Sequence, residues 1–176
     1  MQLVTINFKK ANQLSTLLTV VSFLLSIVIK ILLCGEMKYG LGWWDILIAI
    51  LCVVMGYLIH ELVHATAFMI VGVRYKNVKF GYDIKKMIIF CSASQPITKS
   101  RYKFVLIAPF VILGLIPYIL SIIFLNYPYL FFSSLMIGAS AGDLTMLSKL
   151  SKLKGDFMIL DHPTEPAFYI VEEVDG

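Results

Sequence analysis

The chain has 176 residues, of which 59% are hydrophobic and 15% are charged, and its mean hydropathy is +0.86. Soluble domains contain about 45–50% apolar and about 25% charged residues, so this composition excludes an ordinary soluble domain and indicates a polytopic membrane protein. The net charge is +4, and the basic run in residues 74–103 lies between two apolar segments. That setting is typical of a cytoplasmic loop, so we expect no nucleic-acid partner.

The first apolar segment runs from Leu14 to Leu33, after a short polar N-terminus. A signal peptide is the competing interpretation, but its apolar region would be about 7–15 residues long and would end in small residues. This segment has 20 residues and ends in leucines before Cys34. We therefore expect an uncleaved first membrane span over residues 14–33.

Three further apolar segments cover residues 46–73, 104–125 and 129–147. Each is long enough to cross the bilayer, whose apolar core needs about 20 helical residues. Basic residues are concentrated before the first span, in the 74–103 loop and after the fourth span, and the other two loops carry few charges. Because cytoplasmic loops are enriched in lysine and arginine, we expect a multi-pass plasma-membrane protein with both termini in the cytoplasm.

The expected fold is therefore an all-α integral membrane protein with four transmembrane helices. We expect one polytopic domain over residues 1–176, in which residues 148–176 form a cytoplasmic tail. Within the short basic loop, the segments Val78–Tyr82 and Met87–Phe90 could pair as a β-hairpin at the membrane surface.

His60, Glu61 and His64 form an HExxH motif inside the second apolar segment. On a helix, two histidines at this spacing lie on one face, one turn apart, with the glutamate beside them, which is the arrangement of zinc hydrolases. Ionisable side chains are costly in a membrane helix unless they have a partner or a function. A chance occurrence of the motif is therefore disfavoured, and we expect it to bind Zn²⁺.

A catalytic zinc site needs a third protein ligand. A histidine six residues after His64 is excluded because that position is Ile70, and no glutamate occurs between His64 and Glu165. Asp143 is the remaining acid inside an apolar segment. The second and fourth spans run in the same direction, which puts Asp143 and His64 in the same, cytoplasmic half of the bilayer. We therefore predict that His60, His64 and Asp143 bind the metal.

Glu61 is predicted to be the general base, which takes a proton from the metal-bound water and later passes it to the leaving amine. Gly142 is predicted to allow a close approach beside the aspartate, and Ser140 is a candidate hydrogen-bond partner of a ligand. His162 lies beside a proline in the tail, where it is more typical of a turn than of an additional ligand.

These residues resemble the site-two protease type of intramembrane metalloprotease, which pairs a membrane HExxH motif with a distant aspartate. The chain is more similar still to small bacterial four-span membrane proteins described as putative zincin peptidases. The shared segments are Tyr57–Ala65, Pro96–Lys99, Arg101-Tyr102, Ala108-Pro109, Gly142–Leu144 and Asp161–Pro163. The Asn…Pro…Leu-Asp-Gly sequence of site-two proteases is missing, because Gly142 and Leu144 flank Asp143. The substrate-gripping roles of that sequence therefore do not carry over.

The leading hypothesis is a membrane-embedded zinc-dependent metalloprotease that hydrolyses a peptide bond near the cytoplasmic leaflet. Its expected partners are the lipid bilayer and a membrane protein or peptide as substrate. The alternative is a non-proteolytic metal-binding membrane protein, either a transport component or a regulatory scaffold. Glu61 distinguishes the two, because a transport or structural zinc site needs the histidines but no general base.

Overall fold

A computed structural model of the chain shows long helices and two small antiparallel sheets. It describes residues 1–34, 43–83, 88–124, 127–163, 165 and 167–171. The helices are α1 Phe8–Cys34, α2 Trp43–Ile70, α3 Lys99–Pro109, α4 Ile116–Ile123, α5 Tyr127–Ala139 and α6 Ala141–Lys152, with a π-helical stretch, Phe110–Leu115, between α3 and α4. The strands are β1 Gln2–Thr5, β2 Val78–Asp83, β3 Ile88–Ala93, β4 Ile97–Thr98, β5 Met158–Asp161 and β6 Ala167–Val171.

Three helical segments are long and apolar enough to cross a membrane, namely Phe8–Leu32, Ile50–Ile70 and Lys99–Ile123. The fourth predicted span is not one straight helix, because its two parts, Tyr129–Ala139 and Ala141–Lys152, meet at an angle of 42°. Many large apolar side chains of α1 and α2 are exposed, which is typical of surfaces that contact lipid. The helices therefore indicate a membrane protein with three spans, or with four if the bent pair counts as one.

Helix boundaries differ from the predicted limits of the spans by up to six residues. α1 begins at Phe8 rather than at Leu14, because the side-chain oxygen of Asn7 accepts a hydrogen bond from the backbone N–H three residues later, at 3.1 Å, and so caps the helix. The predicted end of the third span at residue 125 and the last part of the tail, 172–176, lie outside the described residues.

The end of α2 is fixed by a glycine. Gly72 has a φ of +97°, and the N–H of Val73 bonds to the carbonyl of Phe68 at 3.0 Å. This is the Schellman arrangement, which ends a helix with a left-handed residue that glycine adopts without strain. The helix therefore ends at Ile70, three residues before the predicted limit of the second span.

The prediction of an all-α fold is wrong, because six strands form two sheets. One sheet has the order β1-β6-β5-β4, the other pairs β2 with β3, and all pairings are antiparallel. The β2–β3 pair is the hairpin that the basic loop could form. The larger sheet has no signal in the sequence, because its strands have only two to five residues and β1 pairs with the distant β6.

All six strands lie at the same end of the helices. β1 precedes α1, β2 and β3 follow α2, β4 leads into α3, and β5 and β6 follow α6. Gln2 of β1 lies opposite Ile170 of β6, so the first and last strands of the described chain meet there. The buried core joins the sheets to the adjacent helices. It includes Phe68 of α2, Tyr102 of α3, Leu150 of α6, Ile159 of β5 and Phe168 of β6.

Candidate metal centre

Two histidines of α2 form the first part of the site. His60 and His64 lie one turn apart on one face of the helix, with their ring centroids 5.0 Å apart. Both are buried, whereas the neighbouring Leu58, Ile59 and Leu62 are exposed. The motif thus gives an otherwise apolar helix one polar face, and that face points into the protein.

Asp143 meets this face where the fourth apolar segment is broken. The hydroxyl group of Ser140 donates a hydrogen bond to the carbonyl oxygen of Met136 at 3.0 Å, a type of contact that often bends helices. α6 begins at Ala141, so Asp143 lies in its first turn, where the helix dipole favours a negative charge. The bend therefore places a carboxylate at a helix N-terminus opposite the two histidines.

The three predicted ligands converge. Nε2 of His60 lies 3.1 Å from Oδ2 of Asp143, and Nε2 of His64 lies 3.4 Å from Oδ1. One potential ligand atom from each residue lies within 4.8 Å of the others. Two ligand atoms at about 2.0–2.1 Å from a tetrahedral zinc ion are about 3.3–3.4 Å apart, so the donor set and its spacing fit zinc.

The tautomer of His64 suits a metal ligand. Its Nδ1 lies 3.2 Å from the carbonyl oxygen of Val105 on α3, and because a carbonyl only accepts, Nδ1 is the donor. The lone pair of the neutral ring is then on Nε2, the atom that faces Asp143. Nδ1 of His60 is buried and has no hydrogen-bond partner among the described residues. Val105 thus orients one of the two histidines, as outer contacts do in metal sites.

Glu61 follows His60 on α2 and is held from the side of the β-hairpin. Its Oε2 accepts a hydrogen bond from the backbone N–H of Cys91, on β3, at 2.6 Å. Cys91 lies opposite Phe80 of β2. Because the N–H of Cys91 points to Glu61, this N–H takes no part in the hydrogen bonds between β2 and β3. A strand beyond the end of the helix therefore orients the carboxylate next to the histidines.

The site opens into a cleft of about 120 Å³. Glu61, His64 and Asp143 line it, together with residues of β3, of α3 and of the end of β5. The predicted general base, Glu61, and two of the three predicted ligands therefore face one space, which lies between the helices and the strands.

A second carboxyl group lines the same cleft. Asp161, the last residue of β5, accepts a hydrogen bond from the hydroxyl group of Tyr102 at 2.8 Å, and the backbone N–H groups of Ala93 and His162 lie near its carboxyl group. Loss of water around the group raises the pKa of Asp161 to about 7. No pattern in the sequence predicted a role for Asp161, which appeared only as part of a segment shared with the resembling proteins.

Two other polar side chains at the cleft, those of Cys91 and His162, have contacts that indicate structural rather than catalytic roles. Loss of water raises the pKa of Cys91 to about 12, so its thiol stays protonated at neutral pH and is a poor nucleophile. Nδ1 of His162 accepts a hydrogen bond from the backbone N–H of Glu165 at 2.9 Å, and the ring stacks on Tyr169 with centroids 5.4 Å apart. His162 therefore braces the turn between β5 and β6, as its sequence context indicated.

Two neighbours of Asp143 differ from their predicted roles. A Cβ atom at Gly142 would meet no atom within 4 Å, so the prediction that this glycine allows a close approach is wrong. Ser140 bonds within its own helix segment, to Met136, and not to a ligand. It contributes to the site through the bend between α5 and α6.

No curated protein and no solved structure matches the chain. A protein-family model described as "Putative zincin peptidase" matches residues 50–157, which is more than half of the 176 residues. The matched range contains His60, Glu61, His64 and Asp143, and the family description implies zinc. The chain therefore belongs to the Putative zincin peptidase family.

Proposed function

We propose that the protein is a membrane-embedded zinc metallopeptidase that hydrolyses a peptide bond near the cytoplasmic leaflet. The convergence of His60, His64 and Asp143, with Glu61 beside them, is the observation that supports it most directly. Zinc transport or structural zinc needs the ligands but not a carboxylate oriented next to them. The hydrogen bond from Cys91 to Glu61 therefore favours hydrolysis over these alternatives.

The metal would be held by Nε2 of His60, by Nε2 of His64 and by the carboxylate of Asp143. When bound, it would supply Lewis acidity to the scissile carbonyl group and to water. The chain itself supplies orientation: Val105 fixes the ring of His64, and the first turn of α6 fixes Asp143. Together they hold the donor atoms before the metal arrives, which lowers the cost of binding it.

Glu61 is the proposed general base. Its Oε2 is held by Cys91, which leaves Oε1 for proton transfer. As water adds to the scissile carbonyl carbon, one of its protons passes to Glu61. When the carbon–nitrogen bond breaks, Glu61 gives that proton to the leaving nitrogen and returns to its ionised form. The residue thus acts first as base and then as acid, without net change.

The end of the protein that carries the sheets is proposed to be cytoplasmic. His64 lies six residues before the end of α2, which corresponds to about 9 Å of helix. Asp143 lies about 14 Å of helix before the end of α6. The basic residues of the N-terminus and of the 74–103 segment belong to this end, in line with the positive-inside rule. A substrate would therefore be cut within a few turns of the cytoplasmic surface.

Metal content and hydrolysis can be measured on the same detergent-purified samples, with a fluorescently labelled unfolded polypeptide as the substrate probe. We expect stoichiometric zinc in the wild type. Glu61→Gln should keep the zinc and lose hydrolysis, because it removes the base and none of the ligands. A wild type without stoichiometric zinc after gentle purification would contradict the metal site. Undiminished hydrolysis by Glu61→Gln would contradict the mechanism, and zinc without any hydrolysis would favour the non-proteolytic alternative.

A further inference from the structure

The edge of β3 that faces the cleft meets two carboxyl groups, those of Glu61 and Asp161. Cys91 and Ala93 are two residues apart on the strand, so their N–H groups point in the same direction, away from β2. The N–H of Cys91 bonds to Glu61 of α2 at 2.6 Å, and the N–H of Ala93 faces the carboxyl group of Asp161 of β5. The position of β3 relative to α2 therefore depends on contacts at both amides.

Asp161 also connects β3 to the core. It accepts the hydrogen bond of the Tyr102 hydroxyl group, and only 2% of Tyr102 is exposed. The ring of Tyr102 lies between Phe68 and Phe168, with centroid distances of 6.4 and 5.7 Å. Such an enclosed ring cannot move without repacking its neighbours, so Tyr102 gives Asp161 a fixed anchor.

The same anchor lies close to the contact that orients His64. Tyr102 is three residues before Val105 on α3, so the two lie about one helical turn apart. The carbonyl oxygen of Val105 accepts the hydrogen bond from Nδ1 of His64. Asp161 is thus linked to Glu61 through β3 and to His64 through α3.

We propose that Asp161 is a positioning residue of the HExxH site, which holds β3 and α3 so that Cys91 and Val105 orient Glu61 and His64. A half-buried carboxyl group is costly unless donors satisfy it, and the hydroxyl group of Tyr102 donates to this one, with the N–H of Ala93 close by. Residue 161 lies beyond the range that the family model matches. The effect on catalysis rests on the proposed function, whereas the effect on β3 does not.

The test compares Asp161→Asn and Asp161→Ala with Asp156→Asn, a control that removes an exposed acid five residues earlier. With zinc in excess, we expect the Asp161 variants to lose about 10–100-fold in kcat, the usual effect of removing an outer contact, with KM nearly unchanged. Hydrogen exchange followed by mass spectrometry should show faster exchange of the β3 amides, residues 88–93. The control should match the wild type in all three measurements.

Two results would overturn the proposal. One is wild-type exchange in β3 together with wild-type kcat in the Asp161 variants. The other is a loss of kcat with unchanged β3 exchange, because Asp161 would then act on the substrate directly. If Asp161→Ala loses its helical circular dichroism, Tyr102→Phe replaces it, since it removes the hydrogen bond to Asp161 and leaves the carboxyl group in place. In that case the proposal requires the β3 amides of Tyr102→Phe to exchange faster than in the wild type and more slowly than in Asp161→Asn.

The exchange measurement also separates the two proposals. If the wild type hydrolyses no polypeptide, the proposed function fails, but faster β3 exchange in the Asp161 variants still supports the positioning role. If the wild type hydrolyses the probe and exchange in β3 does not respond to the Asp161 variants, only the positioning role fails.

Discussion

The backbone N–H of Cys91 lies 2.6 Å from Oε2 of Glu61, and this contact joins a β-strand to the HExxH motif of an apolar helix. Among the hydrogen bonds of the described residues, none joins the side chain of Glu61 to another residue of α2. The strand therefore orients Glu61, the proposed general base, as the carbonyl group of Val105 orients His64. Orientation of the site comes from elements outside α2.

We expect Cys91→Pro to lower hydrolysis by about 10–100-fold, as loss of an outer contact usually does, while zinc binding is retained. Proline removes the one N–H that bonds to Glu61. It leaves the ladder with β2 intact, because that N–H points away from β2. Rates on the labelled polypeptide and zinc content measure the two effects.

Cys91→Ala is the matched control, since it removes the thiol and keeps the backbone N–H. It should retain activity close to that of the wild type, because the protonated thiol has no part in the proposed chemistry. Equal losses in both variants would show that the side chain, and not the N–H, matters at this position.

We expect Asp143→Ala to weaken zinc binding by on the order of 100-fold or more, because removing a ligand should cost at least as much as removing an outer contact. Gly142→Ala is the control on the same turn of α6, and it should bind zinc like the wild type, since a Cβ there has open space. Zinc titration against a competing chelator gives both affinities. Equal affinities of Asp143→Ala and the wild type would remove Asp143 from the ligand set.

Gly138→Ala should destabilise the helix bundle by about 1–3 kcal/mol, the usual cost of overpacking. A Cβ at Gly138 would overlap Oγ1 of Thr19 and lie 2.8 Å from the carbonyl oxygen of Ser15, both on α1. Thermal unfolding in detergent measures the effect. The double variant with Thr19→Ala should recover part of the loss, and additive effects of the two substitutions would argue against the contact.

The stability of the metal-free protein should depend on pH through Asp161. Because the pKa of its carboxyl group is raised to about 7 in the folded protein, folding favours the protonated form. This contribution is fully present below the unfolded pKa of about 3.9 and is lost as the pH rises through about 7. The melting temperature should therefore fall over that range, and Asp161→Asn should flatten the change. Identical pH profiles would contradict the assignment.

The sequence alone led to the residues of the candidate site but not to the elements that orient them. The HExxH spacing and the position of Asp143 inside an apolar segment are local patterns, and the structure brings these side chains together. The bend lies at Ser140, whose hydroxyl group bonds within its own helix segment, and hydropathy does not report a bend in an apolar segment. For that reason a straight fourth span was predicted, and the structure instead has two helices at 42°.

The strands were harder to predict than the helices. Membrane helices have a long apolar signal, whereas β4 has two residues and β1 pairs with a strand near the other end of the chain. The contact between Asp161 and Tyr102 joins residues 59 positions apart, and it exists only because the sheet forms. Only the β2–β3 hairpin, whose strands are close in sequence, could be anticipated.

The two edges of that hairpin differ in what they can still bind. An incoming peptide that extends a sheet needs free backbone N–H and C=O groups along an edge. On β3, the amide of Cys91 is already bonded to Glu61, and the amide of Ala93 faces Asp161. A polypeptide that joined the sheet at β3 would compete with Glu61, the proposed general base, for the N–H of Cys91. Under the proposed function, we therefore expect a peptide that extends this hairpin to add at β2 rather than at β3.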